Sequence, residues 1–593
     1  PAVEWIVYFQ KNGDEDTEII EDIRALDISL KRPGPGVPKY VTKWTEWKGE
    51  FDEVAVREDP GEFVVHHAPG GIHSFWAFQP HEDVLGPNQS LTFGGVSSMP
   101  ELPFFNVEWP NQGIIAGLGW TAPWRADFVR DGDRSLDVTV SQMIGQQPEW
   151  FAPHRKEGEG GVHFLLHPGE RVRTPRVLLM FWCDDRIRGH NVWRQLLLDH
   201  YSPRRHGELL TVPTGVGSEW HDEKQATDLI NFLGDNKFPV DYFWMDLGWA
   251  RRPKSEDEER EHLADDIAND EMFPNGLEAV AEAAHKRDIK YLLWFGGSAR
   301  TRFQYIYPYP ERVRKHRPDL LSDEYPGVDS GNPMINQWMI QHYGDRIAEL
   351  GIDIFRWDTH STPPPDTSED RQGINWARTV EGLYEFWDAL LERFPDLIID
   401  CCGGGAVNMD LESMQRCVYL WRCDWQCGGI HEPENVFNPS GIQGQTYGVS
   451  FWAPLTSGAF RELTPYAFRS ALSPGVQISA IDAFHQPFEK YFDPELAHSL
   501  FDEFYAVRDC FYGDYYPLTG YNMAEDTWMA WQFDRPDLGL GVVQAFRRGE
   551  SDILTCRHKL HGLDPTATYE LTSMDLPEAL RMTVAELMES GLE

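Results

Sequence analysis

Basic charge is what this sequence has least of. Over 593 residues, Lys and Arg total 53 against 95 Asp and Glu, a formal net charge of −42. A nucleic-acid partner needs a basic surface to displace phosphate counterions, and no basic patch is visible, so nucleic acid is not an expected partner. Arg clearly outnumbers Lys, which fits a salt-adapted surface as well as an ordinary acidic one. Long apolar runs are also missing: no stretch of about 18 or more apolar residues occurs, so no membrane-spanning helix is expected. No basic-then-apolar leader is seen, and a cytoplasmic location is the expectation. Cysteine is scarce, at eight, and Cys401, Cys402, Cys417, Cys423 and Cys427 crowd into one region. They form no Cys-x-x-Cys pair and His431 has no spaced partner, so reduced thiols and no metal site are expected. Internal repeats and low-complexity tracts are absent too.

What is plentiful is aromatic surface: 23 Trp, 21 Tyr and 33 Phe. These build large cores, and their flat faces also stack on sugars. The length implies about two to four domains. Up to about residue 210 the pattern is short and strand-like, with Gly, Pro, Asn and Asp between the runs, which reads as a β-sandwich. Trp5 to Gln10, Ile19 to Leu30, Phe51 to Val56, Glu62 to His67, Leu136 to Val140 and Val177 to Trp182 are the expected strands. Trp120 and Trp124 lie beside Gly119 as candidate stacking rings.

From about Thr211 the rhythm becomes strand, loop, helix, repeated. Asp222 caps a helix that Gly234 should close, and Val240 to Met245 is a strand ending at Asp246. Ile289 to Phe295 ends at Gly296-Gly297-Ser298, and Pro333 opens a helix of apolar spacing. The helix Trp376 to Phe394 leads to the strand Leu397 to Asp400 and the turn Cys401-Cys402-Gly403-Gly404-Gly405. Repeated βα units over about 250 to 300 residues favour a (β/α)8 barrel. Two long loops, Arg251 to Met272 and Ser298 to Asn332, would lie on its catalytic face as lids or contacts. After Pro494 a helix is followed by strand-like runs, Trp528 to Phe533, Gly539 to Phe546, Ser551 to Thr555 and Thr568 to Leu571, read as a small β-sandwich.

Two stretches carry the chemistry. Gly351 to Asp358 and Val418 to Asp424 are apolar runs ending in a carboxylate, which is how a buried parallel strand delivers a side chain to a barrel mouth. Two carboxylates from different strands are what glycoside hydrolysis uses: one attacks the anomeric carbon and the other protonates the leaving oxygen. Helix capping or ion pairing is the plainer role for either Asp alone.

With these motifs in hand, the chain resembles glycoside hydrolase family 36, the α-galactosidase group of retaining enzymes, over almost its whole length. Phe355-Arg356-Trp357-Asp358 resembles the family's Lys-Trp-Asp nucleophile strand, and Cys401 to Gly405 its Cys-Ser-Gly-Gly-Gly turn. Trp421-Arg422-Cys423-Asp424 resembles its Trp-Thr-Ser-Asp acid/base segment, and Phe243 to Trp249 its Asp-Asp-Gly-Trp strand end. In the first domain Ser97-Ser98, Pro103-Phe104-Phe105 and Gly119 to Trp124 are similar to family markers. The resemblance implies an N-terminal β-sandwich over 1–210, a central (β/α)8 TIM barrel over 211–512 and a C-terminal β-sandwich over 513–593. It implies a retaining exo-α-glycosidase of α-galactosidase type, with Asp358 as nucleophile and Asp424 as acid/base. Asp246, Trp249, Trp294, Arg356, Cys402, Gly404, Trp421 and Trp124 would contact the substrate, an oligosaccharide, polysaccharide or simpler glycoside. No metal or organic cofactor is implied, and a homo-oligomer is expected because the family often forms one.

Departures bear on the sugar. Leu247 stands where the family has a second Asp, Gly296-Gly297-Ser298 replaces Glu-Pro-Glu, Arg356 replaces Lys, and Asn408 replaces Arg. N-acetylgalactosamine, a pentopyranose or an anionic sugar are therefore alternatives to galactose, as is a transglycosylase on the same site. Arg300, Arg302, Arg356 and Arg422 near strand ends could pair with an anionic sugar's carboxylate or sulfate, or with the chain's own acids. From another class, a non-catalytic carbohydrate-binding protein would keep the aromatic cleft without needing both carboxylates.

Overall fold

The computed structural model describes residues 1–31, 41–44, 55–58, 62–71, 75–132, 134–145, 160–218, 221–251, 254–261, 267–296, 315–318, 329–358, 363–424, 438–479, 493–575 and 579–592. Near the N-terminus, alternating residues fold into two antiparallel sheets. One runs, in spatial order, Ala2–Trp5, Arg176–Cys183, Gln112–Gly119, Phe104–Trp109, Phe63–His67 and His81–Leu85; the other Met99–Pro100, Gln89–Val96, Pro123–Arg130, Ser135–Gln142 and Arg24–Lys31. Phe105 of the first sheet meets Phe128 of the second edge-on at 5.1 Å and Phe93 at 6.0 Å, so the inward-facing rings join the layers. The expected run from Trp5 to Gln10 is broken into Ala2–Trp5 and Tyr8–Gln10, each paired with a different strand. Of the run Phe51 to Val56, residues 51–54 lie outside the described residues.

The helix Arg186–His200 leaves this sandwich under an Asp185 cap. Its Trp193 packs against Phe104 and donates to Trp452 O, while Arg194 donates to Ser450 O, Phe511 O and Gly513 O. One helix thereby ties the sandwich to the two regions that follow it.

Eight parallel strands then form a barrel: Gly215–Ser218, Tyr242–Met245, Lys290–Phe295, Ile354–Trp357, Ile398–Cys401, Cys417–Val418, Ser457–Phe460 and Gly475–Ser479, first to eighth. The eighth pairs with the first, and a parallel bridge from Tyr419 to Thr456 links the sixth to the seventh, which closes the ring. Two apolar clusters result. Tyr242, Trp244, Leu292, Ile354, Ile398, Val418 and Ala459 fill the barrel, with Val212 and Tyr512 in the same cluster. The outer faces of the strands, the helices and the sandwich share a separate, larger cluster. Two local expectations change. Gly234 lies inside the helix Glu223–Asp235 rather than ending it, and Asn236 follows as its cap, its backbone N–H bonding back to the last turn. The sixth strand stops at Val418, because Leu420 N turns to Asp400 and Cys423 pairs instead with Gly405 of the glycine turn.

After the helix Pro494–Val507, the described residues carry a three-stranded antiparallel sheet, Asp514–Pro517, Trp528–Arg535 and Leu540–Arg547, and a two-stranded ribbon, Thr568–Leu571 with Leu580–Thr583. They share a small apolar cluster around Leu563 and Val584. This is less than a full sandwich. Ser551 to Thr555 adds no strand, since Ile553 O is taken by the side chains of Trp528 and Arg547.

Sandwich and barrel meet at the glycine turn after the fifth strand. Ser98 Oγ donates to Ala406 O at 2.8 Å and accepts from Met409 N, and Ser98 N donates to Val407 O. Buried Asp410 accepts from Ser97 Oγ at 2.6 Å, from Thr121 Oγ1 at 2.9 Å and from the backbone N–H groups of Glu412 and Ser413, whose helix it caps. Burial pushes the Asp410 carboxyl up to about 6 despite these donors. Next to it, burial raises the Glu412 carboxyl, but Arg173, Arg176 and Arg416 together hold it down at about 2.

Two outcomes are expected at this junction. Asp410→Ala leaves several buried donors unpaired and lowers stability by about 3 kcal/mol or more, read from urea midpoints. The native carboxyl also keeps its proton to a higher pH than the unfolded one, near 3.9. Stability from Asp410 is therefore greatest below about pH 4 and declines as pH rises through about 6, so melting temperature should vary less across that window in Asp410→Asn than in the parent.

Candidate active site

Parity along the strands decides what reaches the barrel mouth. Side chains alternate, so Tyr242, Trp244 and Asp246 share one direction, as do Ile354, Arg356 and Asp358, and Ile398, Asp400 and Cys402. The centre they form is Arg356. Its guanidinium lies 4.2 Å from the Trp244 ring centroid and donates to Asp400 Oδ2 at 2.6 Å and to Cys402 Sγ at 3.0 Å. Its Nε is 3.4 Å from Asp246 Oδ2. Asp246 also accepts from Trp244 Nε1 at 2.6 Å and Leu247 N at 2.8 Å, and Asp400 from Leu420 N at 2.9 Å. Burial raises the Asp246 carboxyl to about 6 and raises Asp400, while the Arg356 charge opposes both. Arg356 thus spends its donors inside the barrel and holds the acids rather than offering a free fork to an anionic sugar.

Asp358 follows the fourth strand and sits half-buried, higher in the mouth. Both carboxylate oxygens are fixed: Trp294 Nε1 donates to Oδ2 at 2.7 Å and Gly404 N to Oδ1 at 2.7 Å. Each contact has a glycine behind it. A Cβ on Gly296 would come within 2.5 Å of the Trp294 ring, so the indole lies over a position that only glycine leaves open. Gly403, Gly404 and Gly405 all have positive φ, at 78°, 85° and 107°, which turns the Gly404 N–H toward Asp358. Gly405 also closes on the sixth-strand segment, where a Cβ would meet Cys423 Cα at 2.8 Å.

Asp424 ends that segment, half-buried, and its Oδ1 accepts from Trp421 Nε1 at 3.2 Å. The Trp421 ring in turn packs 5.2 Å from Trp244. Cys402 is where the acids converge. Burial pushes its thiol up, Arg356 opposes, and the negative charges of Asp358, Asp424 and Asp400 add to the rise. The same sulfur accepts from Gly405 N at 3.3 Å.

The structure therefore gathers Asp246, Asp358, Asp424, Arg356, Cys402, Gly404, Trp294 and Trp421 in one cluster. Trp249 stands behind it, buried, donating to Trp294 O at 3.1 Å. Trp124 is elsewhere: it is buried in the sandwich beside Phe93 and gives its N–H to Ser97 O at 2.6 Å, so its described contacts are with the sandwich, not the acids. Arg422 points into the helix Pro439–Val449, where Nη2 donates to Thr446 Oγ1 at 2.7 Å and Ile442 O at 3.3 Å. Arg300 and Arg302 lie outside the described residues. Trp244 was not among the expected site residues, although the alternation that selects Asp246 selects it too. Among the described residues no group of three or more His, Cys, Asp or Glu could hold a metal ion, and no helix is long and apolar enough to cross a membrane.

Known proteins share the fold of this chain. The Melibiase family model matches residues 186–428. The α-galactosidase Mel36A of Lactobacillus acidophilus is 22% identical over 437 residues, 69% of this chain and 56% of that protein. The chain spans about half the length of the curated relatives it matches. Among solved structures, a substituted form of the family 36 α-galactosidase AgaA from Geobacillus stearothermophilus, in complex with raffinose, superposes with a TM-score of 0.70 at 18% identity, over 90% of this chain and 73% of that one. The galactosidase domain of the α-galactosidase-sucrose kinase AgaSK gives 0.72 at 15% identity, over all of this chain and 76% of that one. In sequence over residues 186–428 and in fold over most of its length, this chain is therefore similar to the α-galactosidases of glycoside hydrolase family 36.

Proposed function

We propose that the chain is a retaining exo-α-glycosidase of α-galactosidase type that works by double displacement. The observation that carries this is the fixing of both Asp358 oxygens, by Trp294 and Gly404, in a mouth where Asp424 also lends its charge to Cys402. A nucleophilic carboxylate must be aimed, and two N–H donors do this. Asp358 attacks the anomeric carbon, the bond to the leaving oxygen breaks, and Asp424 gives that oxygen its proton. Water then enters: Asp424 takes one of its protons, the oxygen attacks the anomeric carbon, and Asp358 leaves with the configuration retained. Asp246, with its charge half-neutralised by Arg356, accepts from a sugar hydroxyl.

Raffinose and stachyose are bound in the AgaA complexes, which favours an oligosaccharide with a terminal α-galactosyl unit here. Leu247 favours a second reading of the sugar. Its side chain is apolar and packs against the core, so this strand end presents one carboxylate rather than two. A sugar with fewer or rearranged hydroxyls at that end, or one with an acetamido group, suits it as well.

Two measurements test the reading. On a panel of aryl α-glycosides, Asp358→Ala should lose roughly 10⁴-fold or more in kcat, whereas Asp424→Ala should lose about 10²- to 10⁴-fold and recover most of it on leaving groups that need no proton. Equal losses on every leaving group for Asp424→Ala would sink its assignment. Because Asp246 takes up a proton near pH 6, kcat/KM of the parent should fall as pH drops through about 6, and Asp246→Asn should show a flat profile there at lower overall activity.

A further inference from the structure

Among the described residues, four buried arginines have an acid acting on them. Arg356 has Asp400 and Asp246; Arg173 has Glu412. Arg194 gives Nε, Nη1 and Nη2 to three carbonyls with Asp514 adding charge nearby, and Arg548 gives Nε to Gln443 Oε1 and Nη1 to Asn522 O and Ala524 O with Glu525 nearby. Arg422 differs. It is 0% exposed, two residues before Asp424, and only Nη2 is used. Among the described residues Nε and Nη1 meet no acceptor, and no carboxylate acts on the guanidinium. Gln445, which precedes Thr446 on the same helix, is also fully buried with both side-chain polar atoms unpartnered.

Water could satisfy the two N–H groups but not the charge. A guanidinium stays protonated at neutral pH, and an uncompensated buried cation is among the most costly groups a fold can hold. A small anion resolves both needs at once. We propose that Arg422 binds a buried halide, chloride in ordinary buffers, between the acid/base segment and the helix Pro439–Val449, with the Gln445 amide as a further donor. The site lies behind the sugar cluster, since Arg422 O is held by Ala406 N of the glycine turn and its side chain faces the helix. The anion would neutralise Arg422 and fix the segment that presents Asp424, so its binding should support turnover. That last step rests on the glycosidase reading; the binding does not.

The test uses the full chain exchanged into sodium gluconate, an anion too large for a buried site, and titrated with chloride or bromide at constant ionic strength, so that surface screening stays fixed. A saturable rise in melting temperature of roughly 2–5 °C is expected with either halide, and none in Arg422→Met. Crystals grown in bromide should show an anomalous peak against the Arg422 guanidinium, which keeps the proposal testable if the variant does not fold. Identical melting in halide and gluconate, or a carboxylate of the chain at Arg422 in place of the peak, overturns it. Activity on the aryl glycoside cleaved best should rise with the same half-saturation as the melting temperature. A halide-dependent melting temperature without turnover on any glycoside would count against the glycosidase reading alone.

Discussion

A single cation makes the barrel mouth possible. Three carboxylates and a thiol project into a space lined by Trp244, Trp421 and the apolar layer below, where an isolated charge is costly. Arg356 reaches Asp400, Asp246 and Cys402 at once and lies over the Trp244 ring. A lysine would supply the same charge from one point. The planar fork distributes it over three partners and stacks as well, which suits a site holding more acid than base. Removing either neighbouring acid would leave the guanidinium half-met, and removing Arg356 would leave two buried carboxylates facing each other.

Asp358 is positioned by different means. Its two donors come from neighbouring barrel elements, an indole from the third strand and a peptide N–H from the turn after the fifth. The turn is itself held from outside, by Ser98 on its backbone and by Ser97 and Thr121 on Asp410. The chain of support runs from sandwich loop to Asp410, to the glycine turn, to Gly404, to the carboxylate. No link in it is long.

Much of this was legible in the residues. The change from alternating runs to strand-loop-helix units located the barrel, and carboxylates after apolar runs located Asp246, Asp358 and Asp424. The consecutive glycines announced a turn that side chains would block. What stayed hidden depended on partners far away in sequence. Trp124 and Trp294 look alike as tryptophans near glycine, yet one packs against Phe93 in the sandwich and the other lies over Gly296 and reaches Asp358. Arg356 and Arg422 both precede a site Asp by two residues, yet one faces the barrel interior and the other the surrounding helix. The run from Val418 to Asp424 reads as one strand, and only the pairing of Cys423 with Gly405 shows why it stops early. The C-terminal region yields least, since Ser551 to Thr555 has a strand-like composition but its carbonyls serve side chains.

The clasp at Ser97, Ser98 and Thr121 also bears on how such a protein can change over evolution. Barrels of this kind are often regarded as portable units to which other domains are appended. Here part of the wall beside Asp358 is braced by Ser98, more than 300 positions earlier in the chain. A barrel separated from its sandwich would lose part of the core the two share and the bracing of the loop that aims Gly404. A change on either side of the Ser98 contact with Ala406 and Met409 therefore has to be matched on the other, so the loop of the sandwich and the turn of the barrel constrain one another.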